Sequence, residues 1–128
     1  MNLLIVDDEY LVVEEVVTVT DWELLGITEI YSATNAVSAV RILNEKKIDI
    51  MICDIEMPKE NGLSLIQWIQ DMYPEIINII LTGYPDFNYA RSAISLGVYR
   101  YLLKPIAFDE LEETIASAVE KLEEYKTK

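Results

Sequence analysis

The sequence predicts a doubly wound α/β sandwich, in which a five-stranded parallel sheet carries helices on both faces. Short apolar runs rich in Ile, Val and Leu recur along the chain, and each is too short for a helix. Segments with helical spacing lie between them, so strand and helix alternate five times. Most of the runs are continuous rather than alternating, which is typical of parallel strands buried on both faces.

The expected strands are five short segments, of which four are continuous apolar runs and one has a weaker, alternating pattern. The continuous runs span residues 3–6, 48–53, 76–81 and 99–103, and the weaker segment spans 29–33. These lengths are ordinary for strands in globular proteins.

The expected helices follow the strands, with apolar residues three or four positions apart. Their stripes include Leu11 and Val16, Ala36 and Leu43, Leu63 and Ile69, Phe87 and Ile94, and Phe108 and Leu122. Gly97 is a candidate C-cap for the fourth helix, because glycine adopts the left-handed conformation without a steric penalty. Residues 120–128 are highly charged and are either the end of the last helix or the start of a linker.

Length and charge narrow the possible functions. The chain has 128 residues and is expected to form one domain, residues 1–128. Its net charge of -13 argues against direct binding to nucleic acid or to an anionic membrane, although a simple acidic surface also explains the charge. No basic region precedes the first apolar run, and no run approaches the roughly 20 residues of a membrane-spanning helix, so we expect a cytoplasmic chain.

Acidic side chains follow two of the expected strands. Asp7, Asp8 and Glu9 come directly after the first strand, and Asp54 follows the third. Because neighbouring parallel strands end at the same edge of a sheet, these carboxylates would converge and repel one another unless a cation is bound. Carboxylate oxygens suit Mg²⁺. The simpler alternative is that the first three acids only cap the following helix.

A hydroxyl and an ammonium group are expected at the same edge. Thr82 and Gly83 end the fourth strand, and Lys104 ends the fifth. Together with a metal, Thr82 and Lys104 could bind the oxygens of a phosphoryl group, and Gly83 would leave room for its approach. Taken singly, Thr82 could be a turn residue and Lys104 a surface lysine.

Asp54 is the expected nucleophile at this edge. A carboxylate can attack phosphorus to form an acyl phosphate when a metal and a lysine offset the accumulating charge. The preceding Cys53 is the only cysteine, and strand alternation directs it away from Asp54 into the core. The chain has no histidine, so a cysteine–histidine zinc cluster and an internal imidazole base are excluded.

Four motifs resemble those of the receiver domains of two-component response regulators, and the resemblance covers essentially the whole chain. They are Val6-Asp7-Asp8-Glu9, Asp54-Ile55-Glu56-Met57-Pro58 with Gly62, Thr82-Gly83, and Tyr101-Leu102-Leu103-Lys104-Pro105. Each motif is weak alone, but the set is specific in this order at these strand ends. The resemblance implies the flavodoxin-like (βα)5 form of the sandwich.

The resemblance also implies a phosphoacceptor with a bound Mg²⁺. Asp54 would accept the phosphoryl group from the phosphohistidine of a sensor histidine kinase or a phosphotransfer protein. Asp8, Asp54 and the backbone carbonyl of Glu56 would bind Mg²⁺ directly, and Asp7 would act mainly through water. Such a domain phosphorylates and dephosphorylates itself but is not an enzyme with an external substrate.

A switch is implied by the same resemblance. Thr82 and Lys104 would bind the phosphoryl oxygens, and the Lys104-Pro105 peptide bond would be cis. Thr82 would move toward the phosphoryl group and let Tyr101 rotate inward, although Tyr101 could also be only a half-buried aromatic residue. The surface formed by the fourth helix, fifth strand and fifth helix would then change and favour a partner or a second copy.

Finer motifs are similar to those of receivers attached to AraC-type helix-turn-helix regulators of transcription. These motifs are Asp21-Trp22-Glu23 with Leu25-Gly26, and Thr82-Gly83-Tyr84 with Asp86-Phe87 and Tyr89-Ala90. DNA would then be bound only through a separate effector domain, which the 128 residues do not include.

Two other functions remain open. Phosphatases of the haloacid dehalogenase type also use an Asp nucleophile, but they carry a second Asp two positions later, where this chain has Glu56. A degenerate receiver would bind partners without being phosphorylated, although this chain keeps all the acceptor residues.

Overall fold

A computed structural model describes the backbone of residues 1–57, 60–83 and 87–127. The strands are β1 (Asn2–Val6), β2 (Glu29–Ala33), β3 (Ile50–Cys53), β4 (Glu56–Met57), β5 (Glu60–Asn61), β6 (Ile77–Thr82) and β7 (Arg100–Leu103). The helices are α1 (Tyr10–Val19), α2 (Trp22–Leu25), α3 (Ala36–Glu45), α4 (Gly62–Met72), α5 (Phe87–Ser95) and α6 (Phe108–Thr127).

The five long strands form one parallel sheet in the order β2-β1-β3-β6-β7. The direction of winding reverses between β1 and β3, and the ligands of such folds bind at this switch point, beyond the carboxyl ends of the strands. The predicted fold class is therefore confirmed. All five strands lie where the sequence places them, but the third begins at Ile50 rather than at Ile48.

Two apolar cores cover the two faces of the sheet. Leu3 and Ile5 of β1 pack on one face, where α1 and α6 contribute Val16 and Ile115 among others. Leu4 and Val6 pack on the other face, which α3, α4 and α5 cover. Both sets within β1 are at most 1% exposed, which accounts for its unbroken apolar run.

The helix ends agree closely with the sequence. Gly97 has φ +81° just beyond α5, and its N–H donates to the carbonyl of Ile94, as predicted for a C-cap. α6 continues to Thr127, so residues 120–127 belong to the last helix, whereas Lys128 lies outside the described residues. No helix in the described part of the chain is long and apolar enough to span a membrane.

Two short elements are absent from the sequence prediction. One is α2, a single turn whose N-terminus is capped by Asp21, which accepts from the N–H of Leu24 at 3.2 Å. Its Trp22 is 7% exposed and packs in the core beside α6. The other is the antiparallel pair of β4 and β5, with two residues in each strand. Neither is long enough to show a period.

Candidate functional site

The site lies at the carboxyl edge of the sheet, where four adjacent strands deliver polar residues. Asp7 follows β1, Asp54 follows β3, Thr82 ends β6 and Lys104 follows β7. Backbone hydrogen bonds extend the sheet to this edge: the N–H of Asp54 donates to Val6 at 2.9 Å, and that of Lys104 to Thr82 at 2.8 Å. The predicted convergence of these residues is thus observed.

The Lys104 ammonium group lies among three carboxylates. Its Nζ is 2.9 Å from Oδ2 of Asp7, 2.9 Å from Oε1 of Glu9 and 3.0 Å from Oδ2 of Asp54. Asp7 and Asp54 are 2% and 4% exposed, so two of these carboxylates are almost removed from water. Lys104 is therefore not an ordinary surface lysine. It offsets charges that would otherwise repel one another across the edge.

The acids after β1 do more than cap α1. Glu9 is the N-cap residue of α1, yet its side chain makes no capping hydrogen bond and instead accepts from Lys104. Asp7 accepts from the N–H of Glu9 at 2.9 Å, which fixes the turn, and its other oxygen accepts from Lys104. The capping alternative therefore explains only part of what these side chains do.

The carboxylate of Asp54 is held by two donors. Oδ1 accepts from the N–H of Glu56 at 3.1 Å, and Oδ2 accepts from Lys104. The two oxygens are thus held in a defined orientation.

The backbone behind Asp54 is packed against the first residue of α4. A Cβ at Gly62 would lie 2.2 Å from the carbonyl oxygen of Asp54 and 2.9 Å from Cα of Ile55. Only a residue without a side chain fits there, which gives a physical reason for the glycine in the motif. At Gly83, the contacts of a Cβ with described residues would be with side-chain atoms of Lys104 at 3.8 Å, an ordinary contact distance.

The pKa values of Asp7 and Lys104 are both raised, which favours the neutral form of the carboxyl group and the charged form of the lysine. Burial raises the pKa of Asp7, and the hydrogen bonds from Lys104 and from the N–H of Glu9 only partly counteract it. Burial by itself would lower the pKa of Lys104, but the hydrogen bonds to Asp7, Glu9 and Asp54 outweigh it, and this pKa is raised. Lys104 is accordingly a permanent cation at neutral pH.

The donor set fits a hard divalent cation. Carboxylate oxygens of Asp7, Glu9 and Asp54 lie within 4.8 Å of one another, which is close enough for one ion to be shared. Asp8, a predicted ligand, is half-buried and is not a member of this group of three. Glu9 is a member, although no separate role is predicted for it from the sequence. Its position at the N-terminus of α1 relative to Lys104, which follows β7, is not visible in the sequence.

Thr82 and Tyr101 lie on the same face of the sheet. In the pairing of β6 with β7, Ile80 is opposite Tyr101 and Thr82 is opposite Leu103, so alternation gives Thr82 and Tyr101 a common face. Thr82 is fully buried, and Tyr101 is half-buried against the core that α3, α4 and α5 cover. This places the two proposed switch residues on neighbouring strands.

The structure describes two further predicted features, whereas some of the motif residues lie outside the described ranges. The Lys104-Pro105 bond is cis. Cys53 is fully buried among apolar residues, in agreement with a packing role. Of the motif residues, Pro58, Tyr84 and Asp86 lie outside the described residues.

Comparison with protein families gives a match to the response regulator receiver domain over residues 3–116. An uncharacterized response regulatory protein of Staphylococcus epidermidis is 34% identical over 121 residues, which are 94% of this chain and 47% of that protein. The uncharacterized transcriptional regulatory protein YesN of Bacillus subtilis is also 34% identical, over 94% of this chain and 32% of its own length. This chain therefore spans half or less of the length of these relatives.

Solved structures agree with this assignment. The receiver domain of AraT, a response regulator from Geobacillus stearothermophilus, has a TM-score of 0.90 and 33% identity, covering 98% of this chain and 97% of that one. A two-component transcriptional regulator AraC from Clostridium phytofermentans has a TM-score of 0.88 and 26% identity, covering 99% and 98% of the two chains. The fold, the convergent acidic edge and these similarities together show that the chain belongs to the receiver domains of two-component response regulators.

Proposed function

We propose that this receiver domain is controlled by phosphorylation of Asp54, with a phosphohistidine of a histidine kinase or phosphotransfer protein as the donor. The observation that carries the proposal is the contact of one ammonium group, that of Lys104, with three carboxylates that include Asp54. A buried carboxylate that is already oriented and partly neutralised is suited to attack an electrophilic phosphorus atom.

The proposed transfer uses groups already at the edge. An oxygen of Asp54 forms a bond to phosphorus as the bond from phosphorus to the histidine nitrogen breaks, and the phosphoryl group then carries its charge beside Lys104. Lys104 can pair with one phosphoryl oxygen, and the Thr82 hydroxyl can donate to another. Mg²⁺, when bound, would offset negative charge on the phosphoryl oxygens and the carboxylates.

The metal ligands are proposed on two grounds. Asp7, Glu9 and Asp54 are supported by the proximity of their oxygens. Asp8 and the backbone carbonyl of Glu56 are supported by the family motifs alone, and in that arrangement Asp7 would act mainly through water.

The positions of Thr82 and Tyr101 support the proposed output. A shift of Thr82 toward the phosphoryl group would vacate space on the face that Tyr101 shares, and the surface of α5, β7 and α6 would change. A partner or a second copy that prefers the changed surface would convert phosphorylation into a response. The similarity to transcriptional regulators supports control of transcription through a separate DNA-binding domain.

Incubation with Mg²⁺ and acetyl phosphate tests the proposal. Intact-mass measurement should show one added phosphoryl group, and Asp54→Asn should abolish it. Asp49→Asn is a matched control. Asp49 lies just before β3, whereas Asp54 lies just after it, so this variant should still be modified.

A second measurement is needed if the acyl phosphate of Asp54 is hydrolysed before its mass can be measured. Mg²⁺ with beryllofluoride, which imitates a phosphoryl group without transferring it, should shift the amide NMR signals of Thr82 and Tyr101. Absence of both the adduct and these shifts would favour a degenerate receiver. Steady turnover of an external phosphomonoester would favour a phosphatase instead.

A further inference from the structure

A second cleft lies at the opposite, amino edge of the sheet, away from the acidic site. It has a volume of about 800 Å³ and is lined by residues where β3, β6 and β7 begin and by the C-terminal turns of α6. Strands rise about 3.3 Å per residue, so the length of β6 separates the cleft from the acidic site by about 17 Å. The volume is in the range of small-molecule binding sites.

The charge of this cleft differs from that of the chain as a whole. Lys47, Arg100, Lys121 and Lys126 line it, which is four of the ten basic residues in a chain of net charge -13. Among the described residues, the structure shows no ion pair between any of these four and a carboxylate. Such an excess of unpaired positive charge would attract an anion.

Two of these cations are held in place by one aromatic ring. The guanidinium carbon of Arg100 is 4.4 Å from the centre of the Tyr99 ring, and Nζ of Lys121 is 5.2 Å from it. Arg100 also donates to the backbone carbonyl of Tyr99 at 2.9 Å, and the Tyr99 hydroxyl is hydrogen-bonded to Ser117. The cations are therefore partly ordered before any ligand arrives, which lowers the entropic cost of binding.

The described lining residues also include two carboxylates, which are outnumbered by the cations. Oδ2 of Asp49 already accepts from the backbone N–H of Asn2 at 2.8 Å. Glu75 is exposed to solvent. Four cationic and two anionic side chains are found among the described residues that line the cleft, so this balance still favours an anion.

Part of the cleft wall is apolar. Ile76, Ile77 and Leu122 are 7%, 9% and 8% exposed, and Tyr125 is 66% exposed. Inorganic anions make no use of such a surface, whereas an organic anion could cover it.

We propose that this cleft binds a small organic anion, whose phosphate or carboxylate group pairs with Arg100 and Lys121 while its apolar body covers Leu122 and Tyr125. This site is separate from the phosphoacceptor Asp54 and does not depend on it.

Four probes test the parts of the proposal by amide NMR. Phenylphosphonate carries both an anion and an apolar ring and cannot transfer a phosphoryl group, so it should shift the signals of residues 97–100 and 121–126 with an affinity of about 1 mM or tighter. Inorganic phosphate lacks the ring, and benzyl alcohol lacks the charge, so both should bind more weakly. Benzoate in place of phenylphosphonate distinguishes a carboxylate ligand from a phosphate ligand.

Variants locate the binding. Arg100→Gln and Lys121→Gln should each weaken phenylphosphonate binding by about threefold, the size expected for one solvent-exposed charge pair. Lys46→Gln is the matched control for Lys121→Gln, since Lys46 is also an exposed lysine but does not line the cleft, and it should leave binding unchanged. Asp54→Asn should also leave binding unchanged, which separates this site from the proposed phosphorylation.

The proposal is overturned by any of three results. One is the absence of shifts in residues 97–100 and 121–126 at about 10 mM phenylphosphonate, far above the affinity expected of a specific site. Another is equal binding of phenylphosphonate and benzyl alcohol, or of phenylphosphonate and inorganic phosphate. The third is shifts confined to the residues around Asp54 and Lys104.

Discussion

The two edges of the sheet differ in the burial and pairing of their charged side chains. At the carboxyl edge, Asp7 and Asp54 are almost completely buried, and Lys104 contacts both. At the amino edge, Arg100 and Lys121 are exposed and have no carboxylate partner among the described residues. A charge can be buried only where a counter-charge arrives with it, because an unpaired buried charge is strongly destabilising. The carboxyl edge, with its buried and paired charges, is therefore the edge suited to a chemical reaction.

The largest expected effect comes from breaking the backbone contact beneath the carboxyl edge. Gly62→Ala should lower the free energy of unfolding by about 3 kcal/mol, because the new methyl group would overlap the carbonyl oxygen of Asp54 and force the backbone apart. Urea unfolding measures this. Gly83→Ala is the control and should stay within about 0.5 kcal/mol of the parent. Equal effects of the two substitutions would contradict the close packing at Gly62.

Removal of the central cation should be the next largest effect. Lys104→Met leaves Asp7, Glu9 and Asp54 without their shared partner, and we expect a loss of about 2 kcal/mol, below the range for fully buried pairs because water reaches part of the lysine. Lys121→Met, at the amino edge, should change stability by less than about 0.5 kcal/mol. Similar losses in both variants would remove the distinction between the edges.

The pH dependence of the same variant provides a further check. The folded-state pKa of Lys104 is raised above its unfolded value of 10.5. Its contribution to stability is therefore fully present below that pH and is lost as the pH rises through the higher folded-state pKa. The difference in unfolding free energy between the parent and Lys104→Met should stay constant from pH 7 to about pH 10 and shrink above it. A difference that already shrinks near neutral pH would contradict the raised pKa.

Magnesium should stabilise the carboxyl edge by a smaller amount. With a dissociation constant of about 1 mM, 10 mM Mg²⁺ should add about 1.4 kcal/mol to the free energy of unfolding, and EDTA should reverse this. Asp54→Asn removes one carboxylate of the cluster, so the stabilisation by Mg²⁺ should fall in this variant. Thermal unfolding with and without Mg²⁺ measures the stabilisation in the parent and in Asp54→Asn. An equal gain in the two proteins would place the metal elsewhere.

The smallest effect concerns a polar residue near the amino edge. Asn78 of β6 is 3% exposed, and its Oδ1 has no hydrogen-bond partner among the described residues. Asn78→Leu removes this acceptor and should raise the free energy of unfolding by about 1 kcal/mol. Guanidinium unfolding would show it, and a decrease would mean that the Asn78 side chain is hydrogen-bonded in solution.

The sequence determined the strands, the main helices and the residues at the strand ends. Hydrophobic periodicity is a local property, so each element could be predicted from its own residues, and the rule that parallel strands end together placed Asp54, Thr82 and Lys104 at one edge. The elements that were missed, α2 and the β4–β5 pair, are too short to show a period.

Only the tertiary structure decided which side chains meet. Glu9 reaches Lys104 across 95 positions of sequence, and Asp8, its neighbour, is not part of the three-carboxylate group. The backbone contact of Gly62 with Asp54 and the cationic cleft of Arg100, Lys121 and Lys47 likewise join separate parts of the chain. Such distances depend on strand register and helix packing, which local patterns do not encode, because a shift of one position along a strand directs each side chain to the other face.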